Sequence, residues 1–207
     1  MQMSARRNTI SSAREGHRPP GSRVARGGGE RGFLASLIQD IGQPVLEIGA
    51  GGCACLTLVL AKRGLRVLAI DRDAKAVTTA RRAIPGPRLR RQVVLAQADA
   101  ARLPFHSGSI RTVVAYNALH HADELRASVA EIARILHRTG RLIISDWDEA
   151  KDGYLDRLDR ALRARFRTLT VVPRRGRRVY IAEQPRRSAR TPPANAAATR
   201  PLRVAAA

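Results

Sequence analysis

The sequence predicts an α/β chain built on a doubly wound, seven-stranded, mostly parallel sheet that ends in an antiparallel hairpin. Three observations carry this prediction. From residue 32 onward, short β-branched runs alternate with amphipathic stretches, the pattern of repeated strand–helix–strand units. A glycine turn, Gly49 to Gly52, stands between the first such run and the helix that follows it. The last two runs, Arg167 to Val172 and Arg178 to Ala182, are separated only by Pro173 to Arg177, too short for a crossover helix and suited to a hairpin.

Taken in order, Gly32 to Ile41 carries Phe33, Leu34, Leu37, Ile38 and Ile41 at helix spacing and predicts a short lead-in helix. Val45 to Ile48 predicts a buried strand, and Cys53 to Lys62 a helix closed by Gly64. Arg66 to Ile70 is the second strand. Asp73 is a natural N-cap for a helix reaching Ala83, which Pro85 and Gly86 then stop. Gln92 to Ala96 and Ile110 to Ala115 are the third and fourth strands. Leu125, Val129, Ile132 and Leu136 line one face of a helix over Asp123 to Leu136. A fifth strand, Leu142 to Ser145, follows Gly140, and Leu155, Leu158 and Leu162 mark a last helix before the hairpin.

Composition sets the outer bounds. A chain of 207 residues with 44% hydrophobic residues suits one domain with a real core, and 3% aromatics means an aliphatic one. Residues 1–31 are rich in Arg, Ser, Gly and Pro and predict a disordered basic tail; 184–207 predict a disordered Pro/Ala/Arg tail; 32–183 form the domain. The net charge of +21 is divided among these parts, about +5 on each tail and the remainder on the domain. Of the basic residues only Lys62, Lys75 and Lys151 are lysine, which favours a compositional bias over a selected patch, with weak nucleic-acid contact through the basic tails kept as an alternative. Cys53 and Cys55 have no distant partner, which excludes a disulfide framework and predicts a reducing, cytoplasmic setting. No apolar run is long enough for a membrane span, and the basic N-terminus lacks a secretory apolar stretch. Two cysteines without nearby partners are too few for a zinc site, so no metal is predicted.

The chemistry concentrates at strand ends. In Val45-Leu46-Glu47-Ile48-Gly49-Ala50-Gly51-Gly52-Cys53 the glycines let the backbone approach a ligand, with a helix N-terminus behind them. Gly49, Gly51 and Ala54 alone satisfy a loose dinucleotide pattern. Glu47 changes the balance, because a carboxylate there repels a pyrophosphate and suits a cationic, amine-bearing ligand. In this segment the chain resembles the class I S-adenosylmethionine-dependent methyltransferases, a Rossmann-like family whose first motif is an acidic residue followed by spaced glycines. Glu47, Gly49 and Gly51 match that motif, and Cys53 replaces its third glycine. The resemblance spans roughly 33–183 and implies S-adenosyl-L-methionine as cofactor, with Glu47 near its methionine amino group.

Asp71 ends the second strand, where an acid can accept both ribose hydroxyls, as the family's ribose-binding acid does. Asp99 and Ala100, in Gln97-Ala98-Asp99-Ala100-Ala101-Arg102-Leu103-Pro104-Phe105, resemble the family's adenine-binding segment. That segment and Tyr116-Asn117-Ala118-Leu119-His120-His121 resemble the small single-domain type that includes the quinone-biosynthesis methyltransferases. The candidate cofactor-binding residues are therefore Glu47, Gly49, Gly51, Asp71, Arg72, Asp99, Ala100 and Asn117. His120 and His121 are the candidate catalytic bases, while Asp146 and Trp147 are placed on the acceptor side. The acceptor expected is a small molecule, with RNA or protein as the alternative and a nicotinamide-dependent oxidoreductase or a non-catalytic nucleotide-binding module as the second alternative. The fourth strand is not followed by the Asn/Asp-Pro-Pro-aromatic motif of nucleic-acid amino-methylating enzymes, and no Pro-Cys or Tyr-x-x-x-Lys motif is present.

Overall fold

A computed structural model describes residues 29–38, 42–148 and 153–186; most of both expected tails and the end of the expected lead-in helix lie outside these residues. The described elements are α1 (Glu30–Ile38), β1 (Val45–Ile48), α2 (Cys55–Lys62), β2 (Val67–Asp71), α3 (Ala74–Ala83), α4 (Gly86–Arg90) and β3 (Val93–Gln97), followed by β4 (Ile110–Tyr116), α5 (Leu125–Ile135), β5 (Leu136–Trp147), α6 (Tyr154–Arg165), β6 (Phe166–Arg174) and β7 (Arg177–Pro185). They form one seven-stranded sheet in the order β3-β2-β1-β4-β5-β7-β6. The first five strands are parallel, and β7 runs antiparallel to both β5 and β6. Strand order reverses between β1 and β4, and open sheets of this kind bind ligands at the carboxyl ends of the strands flanking such a reversal.

Every residue of β1 is buried, as a central parallel strand covered on both faces requires. On one face Leu34, Leu56, Leu60, Val77 and Ala80 pack from α1, α2 and α3; on the other Ile132, Leu158, Leu162 and Phe166 pack from α5, α6 and the start of β6. β6 is the edge strand, mostly exposed, and it accommodates Pro173 where no inner strand would. No helix among the described residues is long and apolar enough to cross a membrane.

Several element bounds differ from the sequence expectation for local reasons. α2 begins at Cys55, because Ala54 takes a left-handed conformation (φ 47°) that ends the glycine turn. Asp73 caps α3 as expected, its carboxylate accepting from the Lys75 N–H at 2.8 Å. After Pro85 the chain does not simply stop: a single helical turn, α4, forms, since proline is compatible with a first helical turn. β5 starts at Leu136, directly from α5, and spans the Thr139-Gly140 segment through an irregularity in its pairing with β4. The hairpin turn is shorter than expected, closing at Arg175-Gly176 with Arg174 opposite Arg177. α1 begins at Glu30 and β7 ends at Pro185, so both reach slightly beyond the expected domain bounds.

Candidate cofactor and acceptor site

The glycine turn is built around close approach. Gly49 has φ +80°, and a Cβ there would overlap the Cβ of Ala118 in the segment after β4. Gly51, at φ +58°, donates its N–H to Asp71 Oδ2 at 2.9 Å, and Asp71 Oδ1 accepts from the Asp73 N–H at 3.0 Å. Asp71 thus joins the ends of β1 and β2 before any ligand arrives. Glu47 is buried, and its Oε2 accepts from Thr57 Oγ1 at 2.6 Å. Burial pushes its carboxyl up to about 8, against the lowering effect of the Thr57 hydrogen bonds. Cys53 and Cys55 lie side by side across the turn, their Cα atoms 5.1 Å apart.

These residues open onto a cavity of about 520 Å³ at the carboxyl ends of β1, β2 and β4, a size typical of small-ligand sites. Gly49, Gly51, Asp71, Arg72, Asp99, Ala100, Asn117 and His121 all line it. Seven of the eight expected cofactor residues are thereby gathered in one place; Glu47 lies beneath the turn and does not line the cavity. Arg72 pairs with Asp123 at 2.7 Å on the exposed side, a contact that solvent makes weak. Asp99 Oδ1 accepts from the Ala101 N–H at 2.9 Å. The loop that follows is clamped to α5: Arg134 donates to the carbonyls of Leu103 and Phe105 and forms a two-point pair with Glu131, whose Oε2 also accepts from the Leu103 N–H. A second, more open depression, lined by Arg138, Thr139 and Gln184, lies at the opposite end of β5 from the glycine turn.

The segment after β4 divides the two histidines. His121 lines the cavity, and burial together with the neighbouring His120 lowers its pKa, which favours the neutral ring. His120 instead reaches Asp146, with Nδ1 2.7 Å from Oδ1 and the ring turned off the direct hydrogen-bond line. Asp146 is fully buried at the end of β5 and also accepts from the Trp147 N–H at 3.1 Å and the Tyr154 hydroxyl at 3.0 Å. Asn117 adopts φ 52°, donates its N–H to the Ser145 carbonyl, and accepts through Oδ1 from Arg177. Tyr154, Arg177 and Glu30 were invisible in the sequence reading: each lies far along the chain from the motifs it joins, and nothing in local spacing marks it.

The fold and this arrangement agree with comparisons to known proteins. Residues 46–144 match a family model described as a methyltransferase domain. Over that segment, just under half of its length, the chain is similar to methyltransferase domains. S-adenosylmethionine is the cofactor that this similarity supports, and the cavity, the acids at its strand ends and the close-approach glycine fit such a group. Uncharacterized methyltransferases of Mycobacterium tuberculosis and Mycobacterium bovis are 34% identical over 106 residues, covering 51% of this chain and 40% of each relative. The match therefore spans less than half the length of those curated relatives. Among solved structures, the glycopeptide N-methyltransferase MtfA, complexed with sinefungin, is 17% identical over 75% of this chain and 93% of its own, with TM-score 0.61. A TehB-like methyltransferase from Corynebacterium glutamicum is 19% identical over 74% of this chain and 86% of its own, with TM-score 0.58. At these identities the structures speak for the fold.

Proposed function

We propose that this methyltransferase domain transfers a methyl group from S-adenosylmethionine to a small-molecule acceptor at O, N or C, with His120 receiving the acceptor's proton. The observation that carries the reading is the pairing of His120 with buried Asp146 on the segment that also lines the cofactor cavity. In the holding role, Asp71 faces the ribose, Asp99 and the Ala100 N–H face the adenine, and Glu47 lies below the amino group. The cofactor, when bound, supplies an already activated methyl on a sulfonium, so positioning and exclusion of water are the protein's main contributions.

Asp146 lies 2.7 Å from His120 Nδ1, close enough to favour the charged ring as it takes up a proton, which suits a general base. Tyr154 and the Trp147 N–H hold Asp146 in turn, and Tyr154 stays a hydroxyl because burial and Asp146 both raise its pKa. His121, facing the cavity, shapes it. We therefore place His120 as the base and His121 as a wall. His120→Asn is expected to lower kcat by about 10²–10⁴-fold with cofactor affinity unchanged. Asp146→Asn is expected to act through the histidine and move the pH profile of kcat. The readout is release of S-adenosylhomocysteine across phenolic, amine and activated-carbon acceptors; full activity in His120→Asn removes the base assignment.

A second reading keeps the fold and makes the acceptor an RNA or protein, favoured by the formal charge of +21. Turnover on polyanionic or protein substrates, with none on small acceptors, decides for it. Tight cofactor binding without turnover on anything decides for a nucleotide-binding module.

A further inference from the structure

Cys53 and Cys55 are the two cysteines of the chain, and methyl transfer as proposed above uses neither. They stand where the glycine turn passes into α2. On one continuous helix, residues two apart project to opposite sides, since successive side chains are rotated by about 100°. α2 instead begins at Cys55, and Ala54 before it is left-handed, at φ 47° and ψ 35°. That single backbone reversal sets the two side chains next to each other. Their Cα atoms are 5.1 Å apart, inside the range that a disulfide spans. Cys53 is exposed and Cys55 half-buried, so one sulfur meets solvent and the other stands behind it.

Ala54, between the cysteines, is tied to the edge of the cavity. It is fully buried, and its N–H donates to the Gly51 carbonyl at 3.2 Å. Gly51 in turn lines the cavity and donates its N–H to Asp71 Oδ2. On the outer side the turn rests on α3, where a Cβ at Gly52 would come within 3.3 Å of Thr79 Cγ2. Neither cysteine lines the cavity, so a change at their sulfurs leaves its volume free. Alanine in the left-handed region is disfavoured against its ordinary helical conformation. A covalent link from Cys53 to Cys55 closes a ring through Ala54 and holds it in that region.

We propose that Cys53 and Cys55 are a redox modification site, a dithiol oxidised by low-molecular-weight disulfides, and that the bond formed clamps the glycine turn in its ligand-ready shape. The Cys53 thiolate attacks one sulfur of the small disulfide, expels one thiol and is left as a mixed disulfide. The Cys55 thiolate then attacks the Cys53 sulfur and expels the second thiol. Two protein thiols are oxidised and one small disulfide is reduced to two thiols, which take up the two protons that the cysteines lose. An exposed disulfide is of the readily reduced kind, so the step runs backwards where thiols dominate. The effect on ligand affinity rests on the reading of the cavity as the S-adenosylmethionine site; the clamp itself does not.

The test equilibrates the full chain with excess glutathione disulfide or with dithiothreitol and counts its thiols by alkylation and mass spectrometry. The expected products are a single chain with no free thiol in the first case and with both thiols free in the second. Free thiols that persist in glutathione disulfide, glutathione left on either cysteine, or a disulfide-linked dimer overturns the proposal. Amide hydrogen exchange over residues 49–58 of the ligand-free protein is expected to slow by about threefold or more on oxidation. The double variant Cys53→Ser, Cys55→Ser is expected to exchange alike in both buffers. Equal exchange in the two states of the wild type overturns the clamp. Calorimetry with S-adenosylhomocysteine is expected to show binding tightened by about threefold or more in the oxidised wild type and unchanged between buffers in the double variant. Equal or weaker binding by the oxidised wild type overturns the coupling of clamp to cavity. If S-adenosylhomocysteine binds neither state, the cofactor reading fails, while the thiol count and the exchange rates still decide the clamp.

Discussion

At the residue scale, the proposed place of Glu47 below the cofactor's amino group would couple cofactor binding to protons. Its carboxyl is held at about 8 in the folded chain, against an ordinary value of 4.5. A raised carboxyl favours the folded state while protonated, so this contribution is complete below 4.5 and is lost as pH rises towards 8. An ammonium group arriving above Glu47 reverses the balance and drives ionisation. Binding of S-adenosylhomocysteine near pH 7 is therefore expected to release a proton in the wild type and none from this site in Glu47→Gln, which also binds about tenfold more weakly. Calorimetry in buffers of different ionisation enthalpy measures this; equal proton release by both proteins contradicts it. That Asp71 and Asp99 come to one cavity was legible because each stands at or just after a strand end, whereas Glu47 is buried within β1 and does not line it. The choice between His120 and His121 was not, because it depends on which ring meets Asp146, and two adjacent histidines look alike until the turn between β4 and α5 is folded.

At the scale of elements, the strand–turn–helix unit of β1 and α2 is the part most open to a single change. Gly49→Ala asks a residue at φ +80° to carry a Cβ into Ala118, and the turn and the post-β4 segment must separate. The expected result is loss of S-adenosylhomocysteine binding with most secondary structure retained, seen by calorimetry beside circular dichroism; unchanged affinity contradicts the close approach. The parallel strands were readable because their apolar runs are short and end at glycine or acidic residues. α4 and the early start of β5 were not. A helical turn beginning at a Pro-Gly-Pro sequence looks like a stop, and Thr139-Gly140 looks like a boundary until β4 supplies the pairing that carries β5 past it.

At the scale of the whole molecule, the order β3-β2-β1-β4-β5-β7-β6 places the glycine turn, Asp71, Asp99 and the post-β4 segment around one cavity. The hairpin brings Arg177 beside Trp147, a juxtaposition set by the β5–β7 register and by no local motif. Removal of the basic residues outside 29–186 is expected to reduce retention on immobilised polyanions while leaving S-adenosylhomocysteine affinity unchanged. A fall in that affinity contradicts the separation. The central claim is that this cavity binds S-adenosylmethionine through Asp71. Parallel calorimetric titration with S-adenosylmethionine, S-adenosylhomocysteine and NAD, repeated on Asp71→Ala, tests it most directly. The account predicts micromolar binding of both sulfur ligands, none of NAD, and at least tenfold weakening in the variant, about 1.4 kcal/mol; binding of NAD alone, or sulfur-ligand affinity untouched by Asp71→Ala, would contradict it.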